Sequence, residues 1–139
     1  MNDLTNIHSF PSSLNNNQPQ KNIVSQTTLN IATNNVISFS DYTKRQQIIN
    51  EAYLNQIDIL GISETNITSK QSIFIKKEIA NQYTFLYNND TSRFNPKGSG
   101  VAILIKTKFT PYIIGHKGKN GRYLYVDFNF RRHNRIRVF

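Results

Sequence analysis

The chain has no cysteine among its 139 residues. That excludes a disulfide framework and any metal site built on thiolates, and it fits a reducing, intracellular compartment. No apolar run approaches the roughly 20 residues that a membrane-spanning helix needs, so no membrane partner is expected. The first residues lack a basic start followed by an apolar core, so they do not read as a secretory signal. Acidic residues are scarce: 8 Asp and Glu stand against 17 Lys and Arg, for a formal net charge of +9. Patterned apolar residues are scarce in the opening stretch, Met1 to Gln26, which is rich in Asn, Gln and Ser. A disordered tail over 1–27 is expected there, because such a composition buries too little apolar surface to offset chain entropy. The folded unit is then 28–139, roughly 110 residues, within the range of a small domain.

The most informative stretch is Asp58-Ile59-Leu60-Gly61-Ile62-Ser63-Glu64-Thr65. With Ile57, its apolar residues form a short, nearly continuous run of buried-strand length. Glu64 ends that run, which puts a carboxylate at the rim of a sheet. There it either faces solvent or holds a divalent cation through oxygen. An earlier strand, Leu29 to Val36, ends in Asn34-Asn35-Val36. Asn-Asn is a common strand terminator, so a plain turn is the alternative role for Asn35. Two strands with polar ends, joined by a helix, suggest one site at one rim.

The remaining elements follow from pattern. Ser40 or Asp41 caps a helix reaching about Asn55, with Ile48, Ile49, Ala52 and Tyr53 on its inner face. Thr68 and Gln71 have the spacing of a capping box for a second helix that ends near Asn81. Tyr83 to Tyr87 is a strand, 88–98 a polar loop punctuated by Pro96 and Gly98, and Val101 to Ile105 a strongly apolar strand. Tyr112 to Ile114 is a short edge piece. Leu124 to Phe130 alternates and pairs with Arg135 to Phe139 across a basic hairpin turn that contains His133. Val126, Phe128 and Phe130 point inward, and Asp127 and Asn129 outward. The class is α/β or α+β. Gly98-Ser99-Gly100 precedes a strand and not a helix, so it reads as a tight turn and not a phosphate cradle. Much of the excess positive charge sits in the last third, which favours a polyanionic partner; a solvated basic face is the equal alternative.

Four blocks carry a resemblance: Ile31 to Val36, Asp58 to Thr65, Gly98 to Ile105, and Gly121-Arg122-Tyr123-Leu124. In order and rough spacing they resemble the endonuclease/exonuclease/phosphatase superfamily, the DNase I-like fold, and most nearly the endonuclease domains of non-LTR retrotransposons. The resemblance covers Leu29 to Phe139. It implies the N-terminal half of a four-layer αββα sandwich, incomplete in this chain, and phosphodiester hydrolysis with Mg²⁺ or Mn²⁺. Glu64 then matches the family's metal-binding Glu, and Asn35 the Asn that orders the metal and phosphate site. Asn34 is the rival for that match, and the register with Val36 favours Asn35. The implied partner is nucleic acid, DNA in particular, held through Lys117, Lys119, Arg122, Arg131, Arg132 and Arg135. The implied setting is intracellular, with the nucleus as one compartment. Ile37 and Ser38 depart from the polar or basic residue and Gly often found in the family. Asp127-Phe128-Asn129 looks like the family's catalytic Gly-Asp-Phe-Asn, but Val126 replaces the Gly and the segment falls within a plain strand. His8 and His116 have no carboxylate or His partner at ligand spacing.

The family's remaining catalytic groups would lie beyond Phe139. An endonuclease portion that is inactive by itself is therefore expected. The alternatives are a basic nucleic-acid-binding module without catalysis and a phosphatase of the same superfamily. The second sheet is expected to be missing, leaving Ile59, Val101, Ile103, Ile105, Phe128 and Val138 uncovered, with Arg135 to Phe139 as an unpaired edge and poor solubility.

Overall fold

A computed structural model of the chain describes residues 28–89, 99–131 and 134–139. The expected tail, most of the polar loop, His8, Arg132 and His133 lie outside the described residues. The fold is mixed α/β: β1 (Ile31–Asn35), α1 (Tyr42–Leu54), β2 (Ile59–Ser63), α2 (Ser69–Glu78), β3 (Tyr83–Asn88), β4 (Val101–Lys106), a 3₁₀ turn (Thr107–Tyr112), β5 (Ile113–Lys119), β6 (Tyr123–Arg131) and β7 (Asn134–Val138). Among the described residues no helix is long and apolar enough to cross a membrane.

The helix ends follow local chemistry. Asp41 is the N-cap of α1, its carboxylate accepting from the Lys44 N–H at 2.7 Å. Thr68 and Gln71 close the capping box of α2, each satisfying a backbone N–H that the first turn leaves without a helical partner. The buried stripe of α1 is Arg45, Ile48, Ile49 and Ala52, the i, i+3, i+4, i+7 spacing of one helix face. The sequence pattern puts Tyr53 on that face as well. In the structure it lies one residue, about 100° of rotation, off the stripe and is 62 % exposed. Arg45 takes the place instead, because its charge is matched: it pairs with Glu78 at 2.7 Å and donates to the carbonyls of Phe39 and Ser40 at 2.9 and 3.1 Å.

The first sheet has the order β1-β2-β4-β3, with β1 and β2 parallel and the other pairs antiparallel. The second has the order β5-β6-β7, all antiparallel. Alternation along the strands divides the core in two. Leu60, Ile62, Tyr83, Phe85, Ala102 and Leu104 face α1 and α2. Ile59, Ile103 and Ile105 face the other way, onto Leu124, Val126 and Phe128 of the second sheet. The result is three layers: helices, a four-stranded sheet, a three-stranded sheet.

This overturns the expectation that the second layer is absent. Ile59, Ile103, Ile105 and Phe128 are buried and Val101 and Val138 partly so. The hairpin β6-β7, with β5 added, folds back and covers them. Burying the seven side chains of this cluster, which are Ile59, Ile103, Ile105, Leu124, Val126, Phe128 and Phe109 of the 3₁₀ turn, contributes on the order of 10 kcal/mol. β7 is an edge strand, as expected. β5 differs from the short piece expected: it runs seven residues, with an irregular register between Ile113 and Gly115. Its Gly-His-Lys-Gly-Lys end has no strand pattern of its own, and pairing with β6 holds it extended.

Candidate metal and nucleic-acid site

The parallel register aligns Asn35 with Ser63, so β1 and β2 end at the same rim. Val36 N–H extends the pairing to the Ser63 carbonyl at 3.1 Å. Asn35 Nδ2 then donates to Glu64 Oε1 at 3.0 Å, and Asn35 Oδ1 accepts from the Ile37 N–H at 3.3 Å. One amide thus fixes both its own loop and the neighbouring carboxylate. Asn34, the rival by sequence, points by alternation to the helix-side face of β1.

The backbone at this rim is strained. Ile37, Glu64 and Asn66 have φ of +57°, +55° and +47°. Left-handed backbone at a non-glycine residue costs about 1–3 kcal/mol, and β-branched Ile37 is the least suited of the three. Cross-loop bonds hold it. Phe39 N–H donates to the Thr65 carbonyl at 2.7 Å, and Thr65 N–H to the Gly100 carbonyl at 3.1 Å. Lys44 Nζ donates to the Val36 carbonyl. Gly100 has φ +91°, and a Cβ there would lie 2.3 Å from Thr65 Oγ1. Glycine is therefore required at Gly100 for both conformation and space, as the tight-turn reading of this segment implies. Thr65 is fully buried, and its hydroxyl has no hydrogen-bond partner among the described residues.

The basic residues are divided. Gly100 N–H donates to the Gly121 carbonyl at 3.0 Å, and Gly121 N–H to Asn88 Oδ1 at 2.8 Å. These bonds dock the β5–β6 turn at the Glu64 rim, so Lys119 and Arg122 flank that rim, with Lys117 two residues back along β5. All three are exposed. Arg122 also lines a cavity of about 360 Å³ between the sheets, shared with Thr33, Ser63, Tyr123 and Phe139. Arg131 ends β6 at its far end, and Arg135 lies nearby on β7, in register with Asn129. At about 3.3 Å per residue, the length of β6 separates them from Arg122 by on the order of 25 Å. Among the described side chains, Arg135 is therefore not gathered into one patch with Lys117, Lys119 and Arg122. Arg132 lies outside the described residues.

Arg137 is engaged elsewhere. It forks onto Asp127 at 2.6 and 2.8 Å and covers the Tyr125 ring at 4.1 Å. The Arg137 hydrogen bond holds the Asp127 carboxyl below the usual carboxylate range. Asp127 is thus a cross-strand ion-pair partner, consistent with the plain-strand reading of Asp127-Phe128-Asn129.

At the other end of β2, sequence reasoning passed over Asp58. It is 4 % exposed. It accepts from the Asn30 N–H at 3.1 Å and pairs with Lys108 and Lys106 at 3.1 and 3.4 Å. Burial opposes its ionisation, but the Asn30 N–H and the two ammonium groups outweigh burial and hold its pKa below the ordinary value. Burial, with the Asp58 charge adding to it, raises the Tyr83 phenol. The signal for this node is tertiary: Lys106 meets Asp58 because β4 runs antiparallel to β2 with Ile59 opposite Ile105.

Among the described residues no group of three or more His, Cys, Asp or Glu converges. Glu64 is the carboxylate that a cation at this rim would use; Asn35 turns its Nδ2 to that carboxylate and its Oδ1 to the Ile37 N–H, so its part is to orient Glu64. His116 lies within β5, opposite Val126. No protein-family model matches the chain, and no curated protein matches it in sequence.

Proposed function

We propose that this chain is part of a Mg²⁺- or Mn²⁺-dependent endonuclease of the DNase I-like class, carrying the Asn–Glu corner of its phosphodiester-hydrolysing site. The carrying observation is the 3.0 Å bond from Asn35 to Glu64 at the joint end of two parallel strands, beside Lys119 and Arg122. The helix–sheet–sheet layering supports the finer reading of the fold as three layers of an αββα sandwich. A divalent cation held by Glu64 would neutralise charge on a bound phosphate and lower the pKa of its water. Asn35 fixes the Glu64 carboxylate, and Lys119 and Arg122 draw a nucleic-acid backbone to the rim. Among the described residues Glu64 is the one carboxylate at the rim, so weak cation binding is expected, and no further group that would activate water stands beside it there.

The same thin ligand set favours a second reading, a basic nucleic-acid-binding module without catalysis. Supercoiled-plasmid nicking with Mg²⁺ and with Mn²⁺, beside binding curves at several salt concentrations, separates the two. Expected is salt-sensitive, sequence-independent binding without cleavage, together with Mn²⁺ broadening of the Glu64 and Asn35 resonances. Absence of that broadening refutes the metal reading and leaves the binding module. Metal-dependent nicking abolished by Glu64→Ala would instead put a complete catalytic set within this chain.

A further inference from the structure

We infer that Asn66 is the positioning residue of the Glu64 corner, an inference that rests on reading Glu64 and Asn35 as a functional pair. Three hydrogen bonds and a short piece of backbone close a ring. Glu64 Oε1 accepts from Asn35 Nδ2, Asn35 Oδ1 accepts from the Ile37 N–H, and the Ile37 carbonyl accepts from Asn66 Nδ2. Asn66 returns the ring to Glu64 through Thr65, two peptide units along. The side chain also reaches a third segment, since Asn66 Oδ1 accepts from the Ser99 N–H at 3.3 Å while the Asn66 N–H donates to the Ser99 carbonyl at 3.0 Å.

Asn66 thus ties the exits of β1 and β2 to the entry of β4. Its own φ of +47° suits asparagine better than most residues, and it stands two positions from Glu64 at +55° and across from Ile37 at +57°. A residue that merely ended β2 would satisfy its own turn. Asn66 instead gives its donor to Ile37, whose N–H holds the amide that holds Glu64. Without the Asn66 side chain, Ile37 has less reason to keep a left-handed backbone that a branched side chain disfavours. Asn35 then turns, and the carboxylate loses its fixed direction. Residues that orient a metal ligand in this way typically change metal affinity by about 10- to 100-fold when removed.

The test uses the 139-residue chain. Asn66→Gly keeps access to left-handed backbone and removes both side-chain bonds; Asn66→Asp keeps the acceptor to Ser99 and removes the donor to Ile37. The first readout needs no metal: solvent exchange of the Asn35 side-chain amide protons. We expect slow exchange in the unmodified chain and several-fold faster exchange in both variants, with amide resonances remote from the rim unchanged. The second readout is Mn²⁺ broadening at Glu64, expected to need roughly tenfold more Mn²⁺ in Asn66→Gly. Unchanged Asn35 exchange in a folded variant overturns the inference. If a variant unfolds, the unmodified chain still decides: an Asn66 side-chain amide exchanging as fast as a solvated asparagine also overturns it. Failure of Mn²⁺ to broaden Glu64 in the unmodified chain refutes the metal reading alone, because the exchange readout does not depend on it.

Discussion

Asp58 and Glu64 stand six residues apart at the two ends of one strand, and the protein uses them in opposite ways. Asp58 is sealed from water, with an N–H and two ammonium groups around it. Glu64 is half-buried, takes one side-chain amide, and rests on a left-handed backbone with Ile37 and Asn66 left-handed beside it. A carboxylate whose charge is already matched stabilises the fold and has little left to offer a ligand. One held in direction by a neutral amide keeps its charge for something else. Strain is distributed in the same sense. Ile37, Glu64 and Asn66 are left-handed at the Glu64 rim, as is Asn120 in the turn docked there, whereas the Asp58 end has one such residue, Gln56, in the turn that ends α1.

The largest effect should come from the joint that supports the Glu64 rim. Gly100→Ala places a Cβ on the Thr65 hydroxyl and forces alanine to φ +91°, so a loss of about 3–5 kcal/mol is expected in urea unfolding. Adding Thr65→Ala should recover part of that loss, because it removes the collision and leaves the strain. Additive losses would show that the collision is not what requires glycine.

Next comes the buried acid. Asp58→Asn removes the countercharge of partly buried Lys106 and should cost about 2–4 kcal/mol. The pH dependence follows from the sign of the shift. The folded Asp58 pKa is lowered, so its contribution is present above the unfolded value of about 4 and is lost as pH falls through the folded value. Unfolding curves of the unmodified chain should therefore weaken below about pH 4, and those of Asp58→Asn should weaken less. Parallel curves would remove Asp58 from the account of acid stability.

Glu64→Gln should behave in the contrasting way. Its stability should stay within about 0.5 kcal/mol of the unmodified chain, since a glutamine still accepts from Asn35. Its Mn²⁺ response should disappear. A large loss of stability there would make Glu64 a second Asp58 and end the comparison.

The smallest effect concerns the divided charge. Alanine at Lys119 or Arg122 should lower the salt slope of DNA binding by about 0.9 for each phosphate no longer bound. Arg135→Ala, at the far end of the second sheet, should leave the slope measured on a short duplex unchanged. Equal effects at all three would mean that the DNA spans the whole length of that sheet.

Much of this is legible from residue order. Asp41, Thr68 and Gln71 announce their helix starts because capping is chemistry between near neighbours. The apolar runs at Ile59–Ser63 and Val101–Lys106 announce buried strands, and the pairing of Asn35 with Glu64 at one rim follows from two strands with matching ends. Tyr53 escapes this reading because hydrophobicity alone cannot tell that Arg45, matched by Glu78, fills the stripe.

What the sequence determined by itself, then, was local: which segments extend or coil, where helices begin, and which acid ends a strand. The tertiary structure decided the rest. It supplied the second sheet that covers Ile59, Ile105 and Phe128. It extended β5 through a glycine- and lysine-rich segment, joined Asp58 to Lys106 and Lys108, and drew the ring from Glu64 through Asn35 and Ile37 to Asn66. The reason is physical. Caps and periodicities depend on residues three or four apart. The register of β1 on β2, the pairing of Asp58 with Lys106 and the loop-to-loop bonds at the rim join residues about thirty or more apart, whose meeting is set by packing and not by spacing.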